Sequence, residues 1–235
     1  MNKIKTKYLL SNPLVLASYI VTKPRTYRLT SKFKCVVSDF NYRYMLGDCG
    51  PVWYDCCEYI YALVREYKPE IVVETGINSG FSSYFILRAL HDNNMGKLYS
   101  IDPDEFCLGI GRLAGDRNSS ETGKKIGWFV PDELKDRWEI VRGLSSDVLV
   151  PLLDRLGSID MFLHDSEHSY EVMSFEYNTA WKYLKSGGIL LSDDVLHTPA
   201  FKEFSSGKNS NIYYFRLGVV KKVKAPLYSI VDSVR

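Results

Sequence analysis

The chain has no CxxC pair, no G-x-G-x-x-G fingerprint, no internal repeat and no excess of either charge. Each absence removes a class of function. The five cysteines, Cys35, Cys49, Cys56, Cys57 and Cys107, are odd in number and spaced for neither a zinc site nor a disulfide framework. They read as reduced thiols, which suits a cytoplasmic protein. Lys and Arg total 30 against 28 Asp and Glu, a net charge of +2, so there is no electrostatic case for nucleic acid. The apolar N-terminal stretch YLLSNPLVLASYIV is broken by Asn12, Pro13 and two serines. It is short for a membrane span of about 20 residues and has no clean signal-peptide cleavage site. It reads as a packing or interfacial segment, with peripheral membrane contact through Lys23, Arg25 and Arg28 as the lesser alternative.

What is present suits one globular α/β domain: 235 residues, 46% hydrophobic and 25% charged. A chain of this size buries enough surface to fold without staples. Residues 1–52, aromatic and basic, lack the rhythm of the rest and read as an N-terminal extension to a domain spanning 53–235. From there short apolar β-type runs alternate with runs of helical spacing. The pattern predicts a helix at 53–67, strands at 71–75, 97–102, 138–142, 159–164 and 189–193, and helices at 80–92, near 146–156 and at 168–185. A hairpin of 211–216 and 218–223 follows. Strands alternating with helices predict a doubly wound, mostly parallel, seven-stranded Rossmann-like sheet. The closely joined last strands add an antiparallel edge. Residues 103–132, with glycines at 109, 111, 115, 123 and 127, read as a long irregular lid. Trp53 and Tyr54 stand as candidates for an opposite wall.

In such a sheet ligands bind beyond the carboxyl ends of the strands. EIVVETGINSG (70–80) is a strand, a glycine turn and a helix start. The turn between Gly76 and Gly80 permits close backbone approach to a nucleotide-like cofactor. Ile77 and Asn78 stand where a dinucleotide site would want glycine. Asp102, at the end of the second strand, is placed to bind ribose hydroxyls. Asp165 ends the fourth strand, and Asp193 and Asp194 end the fifth. Neighbouring strands lie about 5 Å apart, so three carboxylates can converge on one hard cation such as Mg²⁺. The competing reading for any single strand-end acid is a helix or turn cap. His168, three residues beyond Asp165, can take a proton from a hydroxyl held there, with a surface or cap histidine as its alternative. His164 reads as structural.

ETGINSGFSS (74–83), LYSID (98–102), GLSSD (143–147), IDMFLHDSEHSYE (159–171) and GGILLSDDV (187–195) occur in an order and spacing that resembles class I S-adenosylmethionine-dependent methyltransferases. More narrowly the chain resembles the small metal-dependent O-methyltransferases, of the catechol type and the macrocin-type sugar enzymes. The resemblance covers about residues 68–224. It implies that Glu74, Gly76, Ile77, Asn78, Gly80, Ser82, Asp102, Ser145, Ser146 and Asp165 surround S-adenosylmethionine. Glu74, Gly76 and Gly80 would hold its methionine end, Asp102 its ribose, and Ser145 and Ser146 would lie beside the adenine. It implies Asp165, Asp193 and Asp194 as ligands of a divalent metal. His168 falls where the catechol enzymes carry a catalytic lysine. The Asp-Asp pair, where those enzymes have Asp-Asn, is shared with sugar-modifying relatives and points to a sugar or other vicinal diol as acceptor. A metal-independent enzyme of the same fold, or a non-catalytic module that kept the fold, are the alternatives. The oligomeric state stays open.

Overall fold

The computed structural model describes residues 50–107, 123–208 and 211–223. The N-terminal segment, residues 108–122 of the expected lid, Cys35 and Cys49, and the side chains of Trp53 and Tyr54 lie outside the described residues. Cys56, Cys57 and Cys107 are free thiols, all buried. No helix among the described residues is long and apolar enough to cross a membrane.

The elements run α1 (Gly50–Tyr67), β1 (Ile71–Thr75), α2 (Phe81–Asn93), β2 (Lys97–Asp102), a 3₁₀ turn (Asp132–Arg137), β3 (Trp138–Arg142), α3 (Ser145–Leu156), β4 (Ile159–His164), α4 (Tyr170–Tyr183), β5 (Leu184–Ser192), α5 (Ala200–Ser205), β6 (Asn211–Tyr214) and β7 (Leu217–Lys221). They build one seven-stranded sheet in the order β3-β2-β1-β4-β5-β7-β6. Pairs among β1 to β5 are parallel, while β7 runs antiparallel to both β5 and β6. The inner strands β1 and β4 are buried along nearly their whole length, as the apolar runs Ile71-Val72-Val73 and Met161-Phe162-Leu163 require of strands covered on both faces.

The strand order reverses between β1 and β4. Their carboxyl ends therefore diverge into a crevice where Thr75 pairs with His164. This switch point decides which loops meet: the glycine turn after β1, Asp102 after β2, Asp165 after β4 and Asp193 after β5.

Two boundaries differ from the periodicity. Helix α4 begins at Tyr170 rather than 168, because Ser169 is extended and caps it, accepting a hydrogen bond from the Val172 N–H at 3.4 Å. It ends at Tyr183, and β5 begins at once with Leu184 paired to Ile159. Gly187 and Gly188 therefore lie within β5, beside a register shift between Ile159 and Met161, and do not stop the helix. At the hairpin, β7 rather than β6 takes the place beside β5.

Candidate active site

The turn after β1 is built around positive φ and close approach. Gly76 has φ 84°, and a Cβ there would lie 2.0 Å from the Asp165 carbonyl oxygen. Asn78 also adopts a left-handed conformation, at φ 44°. The Gly76 N–H donates to the Ile101 carbonyl at 2.9 Å. Asp102 is 6% exposed. Its Oδ2 accepts from the N–H groups of Ile77 (2.8 Å) and Asn78 (3.2 Å), and its Oδ1 from Asp104 N–H (2.9 Å). The strand-end acid thus clamps the turn. A second strap comes from the described remainder of the expected lid. Gly127 and Phe129 N–H groups donate to the Asn78 and Ser79 carbonyls at 2.8 and 3.0 Å. Gly80, φ 82°, opens α2 with room only for hydrogen, since a Cβ would come 2.8 Å from Gly127 Cα.

Glu74 is fully buried beneath this turn. Its carboxylate accepts from the hydroxyls of Ser82 (2.6 Å), Ser83 (2.6 Å) and Ser100 (2.8 Å). Burial pushes its pKa up to about 7, against the lowering effect of the three hydroxyls. Glu74 and Ser82 therefore face each other beneath the turn. Ile77 is buried with Cys107 and Ile126 in a small apolar cluster of its own. Ser145 opens α3 half-buried, and Ser146 is exposed and donates to Asp147 at 2.9 Å.

Beyond β4 and β5 the acids converge as the strand ends predict. His168 Nε2 lies 3.9 Å from Asp165 Oδ1, 3.9 Å from Asp193 Oδ2 and 3.8 Å from Asp194 Oδ2. Ligand atoms of Asp165, His168 and Asp193 fall within 4.8 Å of one another, a set able to hold a metal ion. Asp194 stands apart from that set, in a left-handed backbone conformation at φ 48°. Burial, then the charge of Asp193, pushes Asp165 well above the usual carboxylate range and Asp194 up to about 6. Burial holds His168 down at about 4 despite the neighbouring carboxylates, so its imidazole is neutral with a lone pair available at neutral pH.

Two partners of this cluster have no counterpart in the sequence reading. Arg216, in the β6–β7 turn, donates from Nε to Asp193 Oδ1 at 2.8 Å and from Nη2 to Asp193 Oδ2 at 2.5 Å. Its Nη2 also lies 2.5 Å from Asp194 Oδ2. The paired acids raise its pKa further above the ordinary arginine value, outweighing its burial. Glu176, on α4, is fully buried and accepts from Thr75 Oγ1 (2.5 Å) and Ser166 Oγ (2.8 Å). It also meets His164 Nδ1 at 2.6 Å, and His164 Nε2 meets His168 Nδ1 at 3.3 Å. A carboxylate–histidine–histidine line therefore runs from the core to the acid cluster. A signal existed for each. Arg216 interrupts an apolar β-type run, and Glu176 falls on the apolar stripe of Met173, Tyr177 and Ala180. A charge in either setting must be paired.

A family model described as a methyltransferase domain matches residues 73–195. No curated protein matches the chain. Among solved structures, the O-methyltransferase TomG from Streptomyces achromogenes, involved in tomaymycin synthesis and in complex with SAM, shares 17% identity at a TM-score of 0.53, over 86% of this chain and 89% of its own. The O-methyltransferase from Bacillus cereus in complex with SAH shares 13% identity at a TM-score of 0.51, over 89% and 99%. The O-methyltransferase NovP shares 18% at 0.51, over 72% and 80%. At these identities the likeness is one of fold.

Proposed function

This chain belongs to the class I S-adenosylmethionine-dependent methyltransferases, and from that premise we propose that it methylates a hydroxyl oxygen of a small molecule bearing adjacent hydroxyls, a sugar or similar diol, with help from a divalent cation such as Mg²⁺. Bound S-adenosylmethionine supplies an activated methyl group on a sulfonium leaving group. The residues after β1 fit such a cofactor in one respect: Asn78 Oδ1 is buried with no hydrogen-bond partner among the described residues. In this reading Gly76, Ile77, Asn78 and Gly80 form the cradle over the methionine end, with Glu74 and Ser82 buttressing it from below. Asp102 serves the ribose, and Ser145 and Ser146 lie beside the adenine, next to Leu144, which exposes an apolar side chain.

The carboxylates of Asp165 and Asp193, with Asp194 adjacent, fit a hard divalent cation by chemistry and spacing, leaving His168 Nε2 uncoordinated beside them. Such an ion would fix an acceptor hydroxyl and lower its pKa. The protein's own contribution is placement. The acids at β4 and β5 adjoin the glycine turn through the Gly76–Asp165 contact, so acceptor and donor can be aligned across one crevice. Neutral His168 receives the hydroxyl proton on Nε2, and its Nδ1 is oriented by His164.

The observation that carries the reading is the convergence of His168 Nε2 on three strand-end carboxylates within 4 Å. Its test is methyl transfer to a panel of sugars and catechols with and without a chelator, beside Asp165→Ala. Loss of turnover in both, with cofactor binding retained, is expected. Full activity after chelation would replace this reading by a metal-independent methyltransferase, which one observation favours: Arg216 already balances charge at Asp193 and Asp194.

A further inference from the structure

The acid cluster is not vacant of cations, because the chain supplies one itself. Arg216 reaches it through the hairpin register. Ser192 on β5 pairs with Gly218 on β7, so the turn before β7 sits over the residues after β5. A hydrogen bond from Val195 N–H to the Arg216 carbonyl at 3.1 Å locks that placement. The guanidinium then forks onto both oxygens of Asp193 and one of Asp194. A planar fork of this kind matches two carboxylates as an ammonium cannot. It holds Asp194 with its left-handed backbone, outside the set of ligand atoms formed by Asp165, His168 and Asp193.

We propose that Arg216 is an internal counter-ion that competes with the divalent cation for Asp193 and Asp194 and so sets the metal affinity of the site. This rests on the metal-assisted reading above. Two physical effects act in the same direction. The oxygens that would face the cation are engaged by N–H donors, and a guanidinium beside a dication repels it strongly in a partly buried setting. Arg216 offsets one unit of the cluster's negative charge, so its removal leaves the ligands one unit more negative. Removing the guanidinium should therefore tighten cation binding, although it strips a buried ion pair from the fold. An ordinary structural salt bridge would predict the reverse, since losing it would loosen the ligands.

The test is Mn²⁺ binding by calorimetry, with Mn²⁺ electron paramagnetic resonance as a second readout, on the full chain at pH 8. Wild type, Arg216→Met and Arg216→Lys are compared, each first checked for S-adenosylmethionine binding. Arg216→Met should bind Mn²⁺ about tenfold tighter or more, and Arg216→Lys, which keeps the charge without the fork, should fall between. Equal or weaker Mn²⁺ binding in Arg216→Met overturns the competition while leaving the metal site standing. If Arg216→Met fails to bind the cofactor, Arg216→Lys carries the comparison, and binding no tighter than wild type overturns the proposal. Absence of Mn²⁺ binding in all three overturns the metal-assisted reading and the competition together.

Discussion

The α-carbon of Gly76 faces the carbonyl of Asp165 so closely that a single methyl group on it would sit 2.0 Å from that oxygen. This contact joins the turn after β1 to the acid that follows β4, and it ties the proposed donor pocket to the proposed acceptor pocket. Gly76→Ala must therefore fail twice, on sterics against backbone and on its φ of 84°. We expect a loss of stability on the order of 3 kcal/mol, from the range of strained and overpacked substitutions. The thermal shift on adding S-adenosylmethionine should shrink or vanish. A variant with wild-type stability and an unchanged cofactor shift would show that the two loops can move apart.

Glu74 gives stability a pH dependence of unusual sign. Its folded pKa of about 7 lies above the ordinary glutamate value of 4.5, so the folded state binds the proton more tightly than the unfolded chain. The associated stability is complete below about pH 4.5 and is lost as pH rises towards 7, at about 1.4 kcal/mol per unit and on the order of 3 kcal/mol in all. Glu74→Gln should flatten the fall in melting temperature between pH 5 and pH 8. A fall of the same size in that variant would assign it to another group.

Glu176 acts in the opposite direction. Burial alone would raise its pKa, but the pairing with His164 and the surrounding hydroxyls leave it lowered. Its contribution is present above the unfolded carboxylate pKa and is lost as pH falls through the folded value. Glu176→Gln removes the anion from a buried pair and should cost about 3–5 kcal/mol by chemical denaturation. Restoration of wild-type stability by Glu176→Asp would be unexpected, since the shorter side chain retracts from Thr75, His164 and Ser166 together.

His168→Gln keeps a polar side chain but loses the basic nitrogen. Turnover should fall about 10²–10⁴-fold, the usual weight of general acid–base catalysis, with cofactor affinity little changed. A rise in KM at constant kcat would instead mark His168 as a binding residue.

Most of the fold was legible because its signal is local. Ile71-Val72-Val73 and Met161-Phe162-Leu163 read as strands buried on both faces, and the alternation of such runs with helical spacing reads as parallel crossovers. The acids at 102, 165, 193 and 194 were legible as a rim for the same reason: each ends a strand, and parallel strands bring like ends together. Gly187 and Gly188 misled because a glycine pair after a helical stripe signals a stop as readily as an irregular strand. Glu74 and Ser82 lie in a motif associated with a cofactor, but a motif does not tell which side of the turn a side chain takes. The structure turns both inward.

What the sequence determined by itself was the order of strands and helices, the glycine turn and the set of acids at the sheet's carboxyl edge, since each follows from residues close along the chain. Only the tertiary structure decided how those acids are balanced. Arg216 is 22 residues from Asp194 in sequence and arrives by the antiparallel register of β7 on β5, and Glu176 reaches His164 across the α4–β4 packing. Glu176 is fully buried and Arg216 only partly exposed, and the partners of both are fixed by packing. The free energy of burying a charge depends on what the whole fold places beside it.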